Sequence, residues 1–201
     1  MYDPEVSRQE HNRLRAQIEA NRTPEQRAEA DQIRAQRAAY DALPNHAKTA
    51  LEELEVFDAF VVAGQIAVDL GSRANAPTPE PDIRCTITGR VHYFELGEIT
   101  DQSVARATAD ALKYDEPCGT AFSQAEPFTY IIGRKRNKTY STSGAPVELV
   151  LYYRTQSPPW PQYFADLLAS SLAELDALVT DGPFHRVWIF DFCHNAILWH
   201  S

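Results

Sequence analysis

Two acidic residues lie near each other in the stretch PDIRCTITGRVHYFELGEITD, which spans residues 81–101. Asp82 begins one short segment of alternating polarity, and Glu95 lies within the next one. Side chains alternate between the faces of a strand, so a hairpin of suitable register brings both carboxylates to one face. Two carboxylates a few ångströms apart repel each other unless a cation lies between them, and Mg²⁺ or Mn²⁺ prefers such oxygen ligands. The pattern therefore fits either a divalent metal site or an ordinary hairpin with acidic residues on its solvent side.

The elements that must position these residues predict an α/β (α+β) fold, with a central mixed β-sheet of about four to five strands flanked by helices. A continuous apolar run such as VELVLYY indicates a strand that is buried on both faces. The predicted strands cover 82–88, 91–99, 147–155, 186–192 and 196–201, and the predicted helices of this region cover 47–70, 101–114, 123–140 and 163–179. Gly71 is the predicted end of the first of these helices, followed by a loop over 72–81.

The N-terminal segment, residues 1–45, reads as a helical extension, and residues 46–201 read as the α/β domain. Thr23 is a predicted N-cap with Pro24 at the first helical position. The extension is rich in Ala, Arg, Glu and Gln and poor in large apolar residues, so its helices bury little by themselves. We therefore expect it to pack along the domain or on another chain, as a homodimer or with a protein partner.

The charge balance limits the classes of partner. The chain of 201 residues has 28 acidic and 19 basic side chains, a formal net charge of −9. A protein that binds nucleic acid over most of its surface needs clustered Lys and Arg residues. This charge balance is therefore compatible with nucleic-acid binding only through a local basic rim. We expect a partner, or the shared cleft of a dimer, to help such a chain hold nucleic acid.

The cysteines and the hydropathy pattern favour an intracellular protein. Cys85, Cys118 and Cys193 are far apart and form no C-x-x-C pair, which argues against a disulfide framework or a zinc site. Cys193 and His194 are adjacent in a predicted turn and are interpreted as structural. No segment fits a signal peptide or a membrane span, so the expected location is the cytoplasm, without membrane attachment.

The Pro-Asp at 81–82, the strand turn and the segment FELGE at 94–98 resemble the motif of the PD-(D/E)XK, or restriction-endonuclease-like, nucleases. The order of predicted elements over about residues 47–192 also resembles the core of that superfamily. The resemblance implies that Asp82 and Glu95 bind Mg²⁺ or Mn²⁺. It further implies hydrolysis of phosphodiester bonds in nucleic acid, with DNA favoured over RNA as substrate.

The motif lysine is missing from its usual position, which Gly97 occupies. By the same resemblance, Lys135 or Lys138 supplies the charge from the following helix, where it would stabilise a reacting phosphate or lower the pKa of attacking water. Lys135 is favoured because it lies one helical turn after Ile131. A solvated helix end is the alternative for these lysines. Glu52, Glu53 and Glu55 on the first core helix are further acidic candidates.

Gly97 also allows a second interpretation of the whole domain. A nuclease fold that has lost its lysine can persist as a catalytically inactive interaction or assembly module. Under that interpretation the N-terminal helices carry the function.

Overall fold

The structure is a computed structural model and describes residues 10–99 except 11, 15 and 19, together with residues 128–154, 160–180 and 182–201. The helices are α1 (Pro24–Asp41), α2 (Asn45–Ala63), α3 (Phe128–Arg136) and α4 (Trp160–Thr180). The strands are β1 (Val68–Asn75), β2 (Ile83–Ile87), β3 (Arg90–Glu98), β4 (Val147–Tyr153), β5 (Arg186–Asp191) and β6 (Ala196–His200). No helix among these described residues is long and apolar enough to cross a membrane. The helix predicted over 101–114 and Cys118 lie outside the described residues.

The chain divides into two compact units, Met1–Thr49 and Ala50–Ser201. In the first unit, helix α1 begins as predicted. The Thr23 hydroxyl accepts a hydrogen bond from the Gln26 backbone N–H at 3.2 Å, and the Thr23 N–H donates to the Gln26 side chain at 3.0 Å. These reciprocal bonds satisfy two backbone donors at the helix start. No residue of α1 is buried, and the boundary at residues 45–46 and a partner for this unit both stay predictions.

In the described part of the second unit, six strands form one sheet in the order β1-β2-β3-β4-β5-β6. Strands β3, β4 and β5 are parallel to one another, whereas the pairs β1–β2, β2–β3 and β5–β6 are antiparallel. This mixed sheet with flanking helices confirms the predicted fold class. The sheet has six strands where about four to five were predicted, because β1 was missed.

The prediction that the first core helix continues to residue 70 was wrong. Helix α2 ends at Ala63 in a Schellman motif, in which the Ile66 N–H donates to the Val61 carbonyl at 3.0 Å and the Gln65 N–H donates to the Val62 carbonyl at 3.2 Å. Gln65 has a positive φ of 51°, the left-handed conformation that usually selects glycine. The chain thereby reverses and forms β1, which contains the glycine predicted as the helix cap.

Two apolar layers cover the two faces of the sheet. On one face, α2 packs its Phe57 and Phe60 against even-numbered residues of β3 and β4, such as Phe94 and Val150. The opposite face carries odd-numbered residues and lies under α3 and α4, whose buried members are Phe128, Ile131, Ile132, Leu168 and Leu175. Every residue of β4 is buried, as predicted for a strand between two parallel neighbours. The sheet is therefore a rigid base for side chains that project from its centre.

Candidate functional site

Asp82 and Glu95 face each other across the β2–β3 hairpin. The observed register pairs Ile83 with Phe94 and Arg84 with Tyr93, and one further step along it places Asp82 opposite Glu95. Directly opposed residues of an antiparallel pair project from the same face. The Leu96 N–H also donates to Asp82 Oδ2 at 2.7 Å, which fixes the carboxylate beside the strand. The structure therefore brings together the two acids that the sequence singled out.

Both predicted lysines reach Glu95. The Glu95 side chain is 1% exposed, and its Oε1 lies 2.5 Å from Lys135 Nζ and 2.7 Å from Lys138 Nζ. Lys135 also donates to the Leu96 carbonyl oxygen at 2.6 Å. The Lys135 side chain is 11% exposed, whereas that of Lys138 is 50% exposed. The interpretation of these lysines as a solvated helix end is therefore wrong for Lys135, which is buried against a carboxylate.

Gly97 leaves no room for a side chain on β3. A Cβ atom built there would lie 2.9 Å from Leu151 Cδ2, closer than real Cβ contacts allow, and 3.8 Å from Lys135 Cε. The carbon stem of Lys135 thus passes beside the position from which a motif lysine would project. The ammonium group of Lys135 reaches this part of the site from α3.

Glu53 of α2 is a third carboxylate at the site. Its Oε2 accepts a hydrogen bond from the Asn75 side-chain amide at 3.0 Å. Burial and the nearby Asp82 carboxylate raise the pKa of Glu53 from 4.5 to about 7. The other two acidic candidates of this helix, Glu52 and Glu55, pair instead with Arg154, at 3.5 and 3.1 Å. Among the three candidates, only Glu53 belongs to the electrostatic environment of Asp82.

The site contains more negative than positive charge. Burial, followed by the Glu95 carboxylate, raises the pKa of Asp82, while the Leu96 N–H and the two lysines oppose this effect. Burial tends to lower the pKa of Lys138, but the hydrogen bond to Glu95 and the attraction of the Glu95 and Asp82 carboxylates together raise it. Three carboxylates face two ammonium groups, so one negative charge stays uncompensated when all of them are ionised. A cation at the site would relieve this repulsion.

The residues suit a hard divalent cation by their chemistry. Carboxylate oxygens from Asp82, Glu95 and Glu53 are the ligand type that Mg²⁺ and Mn²⁺ prefer. In their present arrangement, the described residues contain no group of three or more His, Cys, Asp or Glu side chains that could hold a metal ion. The raised pKa values of Asp82 and Glu53 are the observation that favours a cation here.

Sequence patterns missed two residues of this region. Asn75, the partner of Glu53, ends strand β1 and lies in the segment 72–81 that was predicted as a loop. Tyr140 lies five residues after Lys135 and its hydroxyl donates to the Lys135 carbonyl oxygen at 3.3 Å. Burial, together with the Glu95 and Asp82 carboxylates, raises the pKa of Tyr140 well above its usual value, so the phenol stays protonated. The sequence signal that could have identified Tyr140 is its position directly after the basic segment 134–138.

The raised pKa of Glu53 predicts a specific pH dependence of stability. The folded protein holds this proton more tightly than the unfolded chain, so the contribution of Glu53 is most favourable below its unfolded pKa of 4.5 and is lost as the pH rises through about 7. Glu53→Gln should remove this dependence. Relative to the parent, the variant should gain on the order of 1 kcal/mol between about pH 5 and pH 8, after allowance for solvent screening of a half-exposed carboxyl.

Urea unfolding of both proteins across this pH range measures the difference. Glu55→Gln is the matched control, because it removes a carboxylate of the same helix that pairs with Arg154. A difference between parent and Glu53→Gln that does not change with pH would contradict the assignment.

A second polar cluster lies at the carboxyl ends of β4 and β5. Asp191 accepts hydrogen bonds from the Tyr153 hydroxyl at 2.5 Å, the His194 backbone N–H at 2.9 Å and His194 Nδ1 at 2.6 Å. Burial tends to raise the pKa of Asp191, but these bonds outweigh it and lower the pKa. Residues 192–195 form the turn between β5 and β6, so the prediction of a structural turn at Cys193 and His194 is confirmed.

Comparisons of this chain with protein-family models, with curated proteins and with solved structures found no match.

Proposed function

We propose that this protein is a divalent-metal-dependent phosphodiesterase that hydrolyses nucleic acid, with DNA favoured over RNA. The observation that carries the proposal is the ionic cluster in which the buried pair of Glu95 and Lys135, from β3 and α3, lies beside the partly buried Asp82 that precedes β2. Such a cluster is weak evidence for stability, because well-packed apolar residues in its place are often at least as stabilising. Charges that are costly to bury and that converge from distant parts of a chain are typical of sites that perform chemistry.

Each residue has a role in this proposal. Asp82 and Glu95 would hold the metal, and Glu53 would join them only after its side chain moves, because the described carboxylates are not grouped around a metal position as they stand. When bound, the metal supplies a Lewis acid for the phosphate oxygen and lowers the pKa of a water nucleophile. Lys135 orients Glu95 through its bond to Oε1 and places a fixed positive charge beside the reacting phosphate. Lys138 is half-exposed, so its ammonium group can contact phosphate arriving from solvent.

A catalytically inactive interaction module is the second candidate, and one observation favours it. The Glu95 Oε1 atom already accepts hydrogen bonds from two ammonium groups, which neutralise it without any metal. A domain that needs no metal would retain these pairs as a fixed structural cluster.

A cleavage assay distinguishes the two candidates. Single-stranded DNA, duplex DNA and RNA are incubated with Mg²⁺ or Mn²⁺ and either the parent or Glu95→Gln. The cleavage rate should fall about 100-fold in the variant, because the amide keeps the shape but removes the anionic ligand. Glu148→Gln is the matched control. Glu148 is another buried carboxylate, on the opposite face of the sheet, and its side-chain oxygen accepts a hydrogen bond from Trp188 that the amide oxygen of Gln can also accept. Equal cleavage by the parent and Glu95→Gln would reject the enzyme.

Metal binding is tested separately by thermal unfolding. Mn²⁺ or Mg²⁺ should stabilise the parent by about 2.7 kcal/mol at a concentration 100 times the dissociation constant. Asp82→Ala should lose this response, since it removes one of the proposed ligands. The absence of any shift in the parent at millimolar metal would rule out the metal site.

A further inference from the structure

A cleft of about 630 Å³ opens beside the ionic cluster. Its walls are formed by the segment 138–147, which connects α3 to β4, and by residues 183–185, which precede β5. Both segments lie at the amino ends of their parallel strands. The volume is within the range of pockets that enclose small organic molecules.

The cleft adjoins the site at Lys138. This residue lines the cleft, and its Nζ lies 2.7 Å from Glu95 Oε1. A ligand in the cleft that carries a phosphate at the Lys138 end would therefore present that phosphate to the carboxylates and lysines. The cleft has the position of a substrate subsite next to the reacting group.

The charge of the cleft differs from that of the whole chain. The chain has 28 acidic against 19 basic residues, yet none of the described residues that line the cleft is acidic. Lys138 is the fixed cation of its wall, and the exposed His185 adds a second basic group. An anionic ligand therefore meets less repulsion here than the net charge of the chain suggests.

The walls also suit a flat ring with polar edges. The Tyr140 ring forms one side, and contact with Phe184 at 6.0 Å between ring centroids braces it. The bond from the Tyr140 hydroxyl to the Lys135 carbonyl fixes the other end of that ring. Pro146 adds an apolar surface, and Thr142 adds a hydroxyl. A rigid aromatic ring next to a cation is the combination that stacks bases and holds the backbone in single-strand binding proteins.

We propose that this cleft receives one unpaired nucleotide of a single-stranded nucleic acid, namely the nucleotide that adjoins the phosphate held at Lys138. The proposal rests on the proposed phosphodiesterase and names its substrate class. A base within a duplex is stacked and paired, so its face can stack on the Tyr140 ring only after extrusion from the helix. Single strands, frayed ends and overhangs therefore bind and react in preference to continuous duplex.

Filling the cleft tests the proposal. Thr142→Trp and His185→Trp place a large side chain at two separate walls, whereas Ser141→Trp puts the same side chain at an exposed neighbour that does not line the cleft. Binding of a fluorescently labelled single-stranded DNA of eight nucleotides is followed by anisotropy, with Ca²⁺ replacing Mg²⁺ to prevent turnover. Both cleft variants should weaken binding at least about tenfold. Ser141→Trp should bind like the parent, and a blunt duplex should bind more weakly than the single strand.

Competition with a nucleoside 5′-monophosphate gives a second readout. It should displace the labelled strand from the parent and from Ser141→Trp, but not from a folded cleft variant. Parent-like binding by both cleft variants, or equal binding of duplex and single strand, would overturn the cleft proposal. Such a result together with cleavage that depends on Glu95 leaves the phosphodiesterase intact. The opposite combination is also informative. If the cleft variants weaken binding but no cleavage depends on Glu95, the phosphodiesterase is refuted and the cleft is supported as a nucleotide site.

Discussion

Replacing Lys135 with methionine is expected to reduce cleavage about 10²–10³-fold and to lower the free energy of unfolding by about 3–5 kcal/mol. The methionine preserves most of the buried carbon stem but removes the ammonium group. Glu95, which is 1% exposed, then keeps only its contact with the half-exposed Lys138 to compensate its charge. The Leu96 carbonyl oxygen also loses a charged donor. Urea unfolding and single-turnover cleavage measure the two effects.

Two companion variants separate stability from activity. Lys138→Met removes the more exposed ammonium group and should cost only about 1 kcal/mol. The double variant Lys135→Met/Glu95→Leu removes both members of the buried pair and should recover much of the lost stability without recovering cleavage. If Lys135→Met retains the stability and the activity of the parent, the buried pair contributes to neither.

Gly97→Ala is expected to destabilise the protein by about 1–3 kcal/mol, since its new methyl group overpacks the sheet against Leu151. The contact at 2.9 Å involves a side chain of β4, a strand that is buried along its whole length and has little freedom to shift. Thermal and urea unfolding report the change. Gly133→Ala is the matched control, because nothing lies within 4 Å of a Cβ at that glycine of α3. That substitution should stabilise the helix by about 0.5–1 kcal/mol.

The same packing predicts that a lysine at position 97 does not replace Lys135. In Lys135→Ala/Gly97→Lys, the motif spacing is restored but the strand must accommodate a Cβ against Leu151. We expect this double variant to be less stable than Lys135→Ala and no more active. Recovery of cleavage by Gly97→Lys would show that β3 has more room than its packing indicates.

The hairpin and the convergence of its acids could be predicted from sequence because they depend on local rules. Strand alternation places both acids on one face of the predicted hairpin. The register itself was not predicted, because the predicted strands leave residues 89–90 as the turn, whereas Ile87 pairs with Arg90 and Asp82 therefore lies opposite Glu95. Lys135 is different, since it is 40 residues away from Glu95 in sequence. Its helical spacing from Ile131 indicated which side it faces, but the contact itself depends on how α3 packs on the sheet. Sequence alone therefore proposed two lysines without showing that they share one oxygen atom.

Strand β1 could not be predicted because its cause is a single unusual backbone conformation. Gln65 adopts a left-handed conformation, which in a sequence is normally signalled by a glycine at that position. The strand itself is mostly exposed and contains a glycine, an arginine and an asparagine, so it lacks the apolar alternation that identifies strands. Because β1 was not predicted, its residue Asn75 was not recognised as a partner of Glu53. The sequence therefore did not distinguish Glu53 from the neighbouring Glu52 and Glu55.

The close contact between Gly97 and Leu151 also restricts how this protein can evolve. A side chain at position 97 is accommodated most directly by shortening Leu151, and truncating a buried leucine to alanine costs about 3–5 kcal/mol. If the substitution at Gly97 comes first, the new side chain overpacks β3 against Leu151. Either first step lowers the stability of the fold before the second can compensate, so the effects of the two substitutions are not additive. We therefore expect the lysine to stay on α3, and we expect sequences related to this chain to change Gly97 and Leu151 together or not at all.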